Sequence, residues 1–247
     1  MRVGVLSDIH ANLEALDAVL AHLDRLRPDL LVCLGDFVGY GPNPNECVDL
    51  LSPLLQGRHV AGNHDWAAVG RLDIAFFNPY AAEAIRWTQR VLRPPVRHYL
   101  QALPTQWSQN GALPFLAVHA IPRDPIEEYV LDGATARESF RQRQFSLCFI
   151  GHTHVPAVFL AVGDEVETRP FRAGEEIRLE AGVRYLINVG SVGQPRDGDP
   201  RASYALLDTA AAAVRLVRLE YPLQRTQEKM LGEGLPPILA ERLSVGR

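Results

Sequence analysis

The first third of the chain alternates short apolar runs with a helical pattern. Residues 2–6 (RVGVL) and 30–34 (LLVCL) are apolar runs, and between them leucines recur every three or four residues from position 13 to position 23. The apolar runs predict strands and the leucine spacing predicts a helix. This order predicts a βαβ unit, and therefore a mostly parallel sheet with helices on its faces.

Three more apolar runs predict further strands. They cover residues 58–62 (RHVAG), 114–119 (PFLAVH) and 146–152 (SLCFIGH). Each run ends where a polar residue appears, so polar side chains gather at the C-terminal ends of the predicted strands. Open α/β sheets bind their ligands at this edge.

A helical stretch lies between these strands. An Asn-Pro pair at residues 78–79 supplies an N-cap and first-turn signal for a helix that runs to about Leu92. A Pro-Pro pair at residues 94–95 breaks that helix and precedes a second one, which runs to about Leu103. We therefore predict a helical insert at about residues 66–111, placed beside the ligand-binding edge.

The second half of the chain changes to short strand patterns. These cover residues 157–162, 175–180, 184–190, 203–208 and 212–221. The short turn between the last two predicts a hairpin. A second sheet follows, so the predicted fold is α/β, a two-sheet β-sandwich flanked by helices, in a single domain over residues 1–247. The residues after Pro222 are weakly patterned and are left unassigned.

Composition limits the kind of protein this is. Hydrophobic residues make up 47% and charged residues 22% of the chain, which is typical of an ordinary globular protein. No apolar run is long enough to span a bilayer, and the N-terminal run meets Asp8 without the features of a secretory signal. The three cysteines are scattered, which indicates reduced thiols. We expect a cytoplasmic protein without a membrane-spanning segment.

The net charge of −4 argues against a general affinity for nucleic acid or anionic membranes. A small anionic substrate is compatible with this charge if a local positive site binds it. The sequence leaves the oligomeric state open.

Four short segments carry most of the candidate chemistry. They are SDIH (7–10), GDFVGYGP (35–42), GNHD (62–65) and GHTH (151–154). Each follows a predicted strand and supplies Asp, Asn or His where that strand ends. A glycine precedes the polar residues in three of the four.

Each segment alone has a simpler explanation. Asp8 is compatible with an ordinary turn in which its side chain bonds the backbone two residues on. Asp36 is suited to capping a helix, and a lone histidine such as His119 is commonly packed and hydrogen-bonded in a core. Four independent turns that all select nitrogen and oxygen donors at strand ends are less readily explained in this way.

Together the segments offer carboxylates, an amide and imidazoles, without a thiolate. This mixed set suits Mn²⁺, Fe or Zn²⁺ better than Ca²⁺, which prefers oxygen alone, or a structural zinc, which usually takes cysteine. The donors are too numerous for one tetrahedral ion. Two ions that share one carboxylate would use them all.

The segments DIH, GDFVG, GNHD, AVHA and GHTH, in this order, resemble the five signature blocks of the calcineurin-like metallophosphoesterases. The stretch INVGSVGQPRDGDPRASYALLD resembles the C-terminal strands of the small bacterial phosphodiesterase branch of that superfamily. The resemblance implies the αββα fold of the family, with a metal site at the C-terminal ends of the strands.

The resemblance also implies seven ligands for two divalent ions. One ion is bound by Asp8, His10 and His154, the other by Asn63, His119 and His152, and Asp36 bridges both. We expect Mn²⁺, with Fe, Zn or Ni as alternatives.

Two further residues have implied catalytic roles. In the family, the histidine at the place of His64 faces the leaving group as a general acid or transition-state stabiliser. Asp65 would orient the ring of His64. A hydroxide held between the two ions is the family's nucleophile.

Two loops bear on the substrate. The protein phosphatases of the superfamily carry GDxVDRG, and here Gly39 and Tyr40 replace its Asp and Arg, which argues against protein dephosphorylation. Tyr40 is a candidate for the pocket wall or for packing. Gln194 and Arg196 are candidates for contacting phosphate, since arginine matches phosphate oxygens bidentately. The alternative is that Arg196 pairs with an aspartate of its own loop, at position 197 or 199.

The sequence thus predicts a dinuclear metal-dependent phosphoesterase, a phosphodiesterase or phosphoanhydride hydrolase acting on a small molecule such as a nucleotide. The enzyme alternatives are a phosphomonoesterase or a protein phosphatase. A nuclease on this fold would need a basic groove and extra domains. A metal-binding scaffold without catalysis would show gaps among the ligands or at His64, and the sequence has none.

Overall fold

The computed structural model describes the backbone of residues 1–247 and every side chain except that of Phe76. The strands are β1 (Arg2–Leu6), β2 (Leu30–Cys33), β3 (Gln106–Gln109), β4 (Phe115–Val118), β5 (Leu147–Ile150), β6 (Ala157–Val162), β7 (Glu165–Pro170), β8 (Glu176–Arg178), β9 (Arg184–Asn188), β10 (Ala202–Asp208) and β11 (Ala213–Leu219). The α-helices are α1 (Leu13–Leu26), α2 (Pro44–Leu55), α3 (Asn63–Ala68), α4 (Pro79–Val91), α5 (Pro94–Gln101), α6 (Gly133–Gln142), α7 (Leu223–Gly232) and α8 (Pro237–Glu241).

The strands form two mixed sheets. The first has five strands in the order β2-β1-β10-β11-β8, and the second has six in the order β3-β4-β5-β9-β6-β7. Strands β1 and β2 are parallel, as are β4, β5 and β9, while the later strands add antiparallel pairs. The predicted α/β sandwich of two sheets is confirmed.

Alternating side chains of the strands build the layers of the sandwich. In β1, Val3 and Val5 lie in the core between the two sheets, whereas Leu6 packs with α1 and α2 on the outer face. In β5, Phe149 faces the core between the sheets and Ile150 packs beneath α6. Residues of opposite parity point to opposite faces of a strand, so each sheet buries both of its faces.

The two helices predicted in the insert begin where the sequence indicates. Asn78 caps α4, and its Oδ1 accepts a hydrogen bond from the backbone N–H of Ala81 at 3.0 Å. The helix α5 begins at the predicted Pro-Pro pair. The predicted insert extends too far, because β3 lies within residues 66–111 and pairs with β4 in the six-stranded sheet.

One further expectation differs from the structure, and one unassigned segment proves to be helical. The predicted strand at 58–62 is reduced to one bridge between His59 and Cys33, because the chain turns at Gly62 into α3. The segment after Pro222, left unassigned above, forms α7, α8 and a 3₁₀ turn at Arg242–Val245.

The three cysteines are free and buried. Among the described residues, none of the helices has the length and apolar character needed to cross a membrane.

Candidate metal centre

Six of the predicted ligands lie in turns that follow β1, β2, β4 and β5, and the seventh, Asn63, begins α3. At five of these residues the backbone is left-handed, with φ between 48° and 63°. This region is unfavourable for most side chains and is occupied more readily by Asp, Asn and His. The five residues are Asp8, His10, Asp36, His152 and His154. Such strained positions cluster at functional sites.

The glycines that precede two of the motifs are required by close packing. A Cβ added to Gly62 would lie 2.0 Å from Oδ1 of Asp36, and one added to Gly151 would lie 2.4 Å from Oδ2 of Asp8. Neither carboxylate could then keep its place. The glycines therefore let the turns approach the carboxylates.

Four buried residues form one group of donor atoms, all within 4.8 Å of one another: Asp8, His10, Asp36 and His154. Nε2 of His154 is 3.0 Å from Nε2 of His10 and 3.2 Å from Oδ1 of Asp8. Nε2 of His10 is 3.5 Å from Oδ2 of Asp36. These atoms converge on a single small volume.

A second group lies on the other side of Asp36. Nε2 of His119 is 3.2 Å from Oδ1 of Asn63 and 3.1 Å from Nδ1 of His152. The same nitrogen is 3.4 Å from Oδ2 of Asp36. Because this oxygen also approaches His10, the Asp36 carboxylate stands between the two groups.

Backbone carbonyls fix the tautomers of all four imidazoles. Each ring points one nitrogen into the site and the other at a carbonyl oxygen, which can only accept a hydrogen bond. The outer nitrogen therefore carries the hydrogen of the neutral ring, and the inner nitrogen has a lone pair. The carbonyls belong to Val38, Leu34, Glu127 and Gln194, at 3.2, 2.9, 3.0 and 2.6 Å from His10, His119, His152 and His154, respectively.

Burial keeps the rings of His10, His152 and His154 neutral. It lowers the pKa of His10, and it lowers the pKa of His152 to about 3 and that of His154 to about 4, and the charge of Arg196 lowers the pKa of His154 further. The carboxyls behave differently. Burial and then the neighbouring Asp8 raise the pKa of Asp36. Burial also acts to raise the pKa of Asp8, but His154, His119 and Ser7 together lower it.

The donor atoms fit divalent metal ions. The inner ring nitrogens face each other at 3.0 Å in one pair and 3.1 Å in the other, and their lone pairs repel unless a cation lies between them. Oδ1 of Asp8 and Oδ2 of Asp36 are buried without a hydrogen-bond partner among the described residues, which is unfavourable in the absence of a cation. Imidazole and carboxylate donors together suit transition-metal ions.

His64 lies beside the first group. Its ring centroid is 4.8 Å from that of His10 and 4.4 Å from that of Tyr40. Its backbone N–H donates to Oδ1 of Asp36 at 2.9 Å, and its Nδ1 has no partner among the described residues. Burial, followed by the charge of Arg196, lowers the pKa of His64, so the ring is neutral.

The structure gives Asp65 a different position from the one expected. We expected its carboxylate to orient the ring of His64, but it accepts hydrogen bonds from the backbone N–H groups of Asp36 at 2.8 Å, Gly62 at 3.0 Å and Val38 at 3.3 Å. Burial and the charge of Asp36 raise the pKa of Asp65 to about 8, although the hydrogen bonds from Gly62 and Val38 act to lower it. Asp65 thus holds the loop that carries Asp36.

The three predicted substrate residues form one cluster. Nη2 of Arg196 donates to Oε1 of Gln194 at 2.8 Å and to the hydroxyl of Tyr40 at 3.2 Å. The alternative, in which Arg196 pairs with an aspartate of its own loop, is wrong. Those aspartates form ion pairs with other arginines, Asp197 with Arg218 and Asp199 with Arg201.

Sequence reasoning missed Tyr129. Its ring stacks on that of His152, with centroids 3.9 Å apart and planes at 26°, and 47% of the residue is exposed. It lies in the loop between β4 and α6, close to the Glu127 carbonyl that His152 contacts. That loop shows no helical or strand periodicity, and its aromatic residue was the one available signal.

Comparison with known proteins identifies the family of the chain. A family model described as the calcineurin-like phosphoesterase superfamily domain matches residues 1–212. The uncharacterized protein MJ0912 of Methanocaldococcus jannaschii is 40% identical over 247 residues, covering 99% of this chain and 98% of its own length.

Two solved structures share the fold. A metallophosphoesterase from Sphaerobacter thermophilus is 44% identical with a TM-score of 0.87, over 100% of this chain and 99% of its own. The hypothetical protein PH1004 from Pyrococcus horikoshii OT3 is 19% identical with a TM-score of 0.81, over 100% and 98%. The family match and the similarity along nearly the whole chain show that this protein belongs to the calcineurin-like phosphoesterase superfamily and is a metal-dependent phosphoester hydrolase.

Proposed function

We propose that the protein is a dinuclear phosphodiesterase or phosphoanhydride hydrolase that acts on a small molecule such as a nucleotide. The observation that carries this proposal is the place of Asp36. Its Oδ2 is 3.5 Å from Nε2 of His10 and 3.4 Å from Nε2 of His119, so one carboxylate oxygen serves two separate donor groups.

The donor groups divide into two sites. In our assignment Asp8, His10 and His154 hold one ion, Asn63, His119 and His152 hold the other, and Asp36 is shared. When bound, divalent ions lower the pKa of water and neutralise charge that builds on phosphoryl oxygens. We expect Mn²⁺ in both sites, with Fe, Zn or Ni as alternatives.

His64 is proposed as the group that faces the leaving group. Its lowered pKa makes the ring neutral, so it offers one N–H donor and brings no charge to the site. A hydrogen bond from this N–H to the leaving-group oxygen would stabilise the transition state. Asp65 is a positioning residue for the loop that carries Asp36, because its carboxylate accepts a hydrogen bond from the Asp36 backbone. It makes no hydrogen bond to Nδ1 of His64, which has no partner among the described residues.

Arg196 is proposed to bind the phosphate. Two of its nitrogens are held by Oε1 of Gln194, while Nη1 has no hydrogen-bond partner within the described part of the chain. Gln194 also presents a buried Nε2 that lacks a partner among those residues. Both groups are donors, as a phosphate oxygen requires. Tyr40 lines the same corner through its hydroxyl.

Among the alternatives, the phosphomonoesterase deserves a direct test. Protein phosphatases of the superfamily carry an arginine where this chain has Tyr40, but Arg196 approaches the hydroxyl of Tyr40 from another loop. The guanidinium of Arg196 therefore lies near the place that the arginine of the protein phosphatases would occupy.

The net charge of −4 remains an argument against a nuclease.

A substrate panel on the purified, Mn²⁺-loaded protein tests the proposal. It should compare an aryl phosphodiester, an aryl phosphomonoester, cyclic nucleotides and dinucleoside polyphosphates. We expect hydrolysis of the diester or the polyphosphates with a higher kcat/KM than the monoester. Arg196→Gln should raise KM, and Arg169→Gln, an arginine that pairs with Glu175 away from the site, serves as the control. Faster hydrolysis of the monoester would contradict the proposal.

A further inference from the structure

The C-terminal segment, residues 222–247, packs against the candidate site, although the matched family model ends at residue 212. Leu239 and Leu243 share a buried apolar cluster with Tyr40. At the end of the segment, the carbonyl of Gly246 accepts a hydrogen bond from the backbone N–H of Gly198 at 2.9 Å. The segment therefore bridges from Tyr40 to the loop that carries Arg196.

Arg242 lies in this bridge and is half-buried. Its Nε donates to the main-chain oxygen of Arg247, and its two terminal nitrogens have no hydrogen-bond partner among the described residues. Neither Arg242 nor Arg196 forms an ion pair with an Asp or Glu side chain in the part of the chain that the structure describes. Burial and then the charge of Arg196 lower the pKa of Arg242, which agrees with the packing of the C-terminal segment on Tyr40 and on the loop that carries Arg196.

A groove beside Arg242 offers room for a ligand. Its volume is about 650 Å³, within the range of small-molecule sites. The walls come from the start of α4 and from the C-terminal segment, and they include Asn78, Tyr80, Ile238, Arg242 and Val245. Glu241 and Arg247 also line the groove, so it combines an apolar wall with two arginines and one carboxylate.

We propose that Arg242 and Arg196 together bind a second phosphate group of the substrate, so that preferred substrates carry a phosphate beyond the one that is cleaved. Neither cation is paired with an Asp or Glu side chain in the described part of the chain, so a polyanion between them would be attracted by both. Guanidinium groups suit this task because they match phosphate oxygens bidentately. The groove then takes the group attached to the second phosphate. This inference rests on the proposed function.

A pair of nucleotides that differ by one phosphate tests the inference. ADP and AMP are titrated calorimetrically into the Mn²⁺-loaded protein in excess Mn²⁺, and both are assayed as inhibitors of aryl phosphodiester hydrolysis. We expect the wild type to bind ADP about tenfold more tightly than AMP. Arg242→Gln should remove this difference while hydrolysis of the aryl phosphodiester changes less than about twofold.

Two further variants complete the design. Arg242→Lys keeps the charge and should keep part of the preference for ADP, whereas Arg225→Gln removes an equal charge from an exposed position on α7 and should change nothing. A thermal melt confirms that each variant is folded. The inference is overturned if the wild type binds ADP and AMP equally, or if Arg242→Gln retains the preference. Absence of aryl phosphodiester hydrolysis in the wild type would instead refute the proposed function, and the calorimetric comparison would still decide the role of Arg242.

Discussion

The inner ring nitrogens of His10 and His154 face each other at 3.0 Å, while the outer nitrogen of each ring lies against a backbone carbonyl. Since the outer nitrogens carry the hydrogens, the two lone pairs point into the same space. His10 and His154 would both coordinate an ion bound there, which would remove this repulsion. The same relationship recurs between His119 and His152, where it would hold a second ion.

The two histidines of the GHTH motif should serve different ions. His154 lies with Asp8 and His10, whereas His152 lies with His119. Replacement of His154 by alanine should therefore remove about one of two ions, leaving the site shared by Asn63 and His119. His152→Ala should remove the other ion. Metal analysis after dialysis, with anomalous scattering to locate the remaining ion, measures this.

The matched control for this pair is His98→Ala, a histidine on α5 outside the site. It should keep both ions. If His152→Ala and His154→Ala lose the same ion, the assignment of the two sites is wrong.

Replacement of Asp65 by asparagine should weaken metal binding and stability together. Oδ2 accepts hydrogen bonds from the backbone N–H groups of Asp36 and Gly62, and Oδ1 accepts one from Val38. Whichever oxygen becomes the amide NH₂ of asparagine would then face at least one of these donors. We expect a loss of roughly 1–3 kcal/mol in the free energy of unfolding. Chemical denaturation and metal analysis on the same samples measure the two effects.

Asp132→Asn is the control for that substitution. Asp132 caps α6 through a hydrogen bond from the backbone N–H of Thr135, and asparagine caps helices equally well. If Asp65→Asn lowers only kcat, with both ions retained, Asp65 acts on His64 as the sequence suggested.

Metal binding should release a proton from Asp36. Burial and the Asp8 carboxylate raise the pKa of Asp36 in the metal-free protein, so an incoming ion displaces a proton from it. Apparent affinity should therefore rise with pH, by about tenfold per pH unit for one proton released. His152 and His154, with pKa values of about 3 and 4, are already unprotonated near neutral pH and add nothing.

Calorimetric titration with Mn²⁺ in buffers of different ionisation enthalpy counts the protons. The affinities are compared between about pH 6 and about pH 8. Proton release of zero, with an affinity independent of pH, would show that Asp36 is ionised before the ion arrives.

His64→Gln should reduce kcat by about 10²–10⁴ and leave both ions bound. The contact of His64 with the metal centre is a backbone hydrogen bond to Asp36, which survives the substitution. Steady-state kinetics on an aryl phosphodiester and metal analysis give the two readouts. Loss of an ion with the side chain would mean that His64 has been assigned the wrong role.

Strand periodicity and motif order predict much of the fold and name the residues that the structure brings together. The turn residues Asp8 and Asp36 could be found because each follows an apolar strand. The strand predicted near His59 failed, since an apolar run does not reveal that the chain turns at Gly62 after a single bridge.

Contacts made by backbone groups could not be predicted. The Glu127 carbonyl fixes the tautomer of His152, and the N–H groups of Gly62 and Val38 bind Asp65. Nearly every residue has a backbone N–H and a carbonyl, so the sequence does not indicate which of them will bind a given side chain. The position of Arg242 depends in the same way on how the C-terminal segment packs on Tyr40.

Titration of the metal-free protein with Mn²⁺, with bound metal and aryl phosphodiester hydrolysis followed together, tests the dinuclear assignment most directly. The arrangement of donors around Asp36 predicts two ions per chain, no hydrolysis in EDTA, and full hydrolysis only when the second ion has bound. Hydrolysis that persists in EDTA, or that reaches its maximum with one ion per chain, would contradict it.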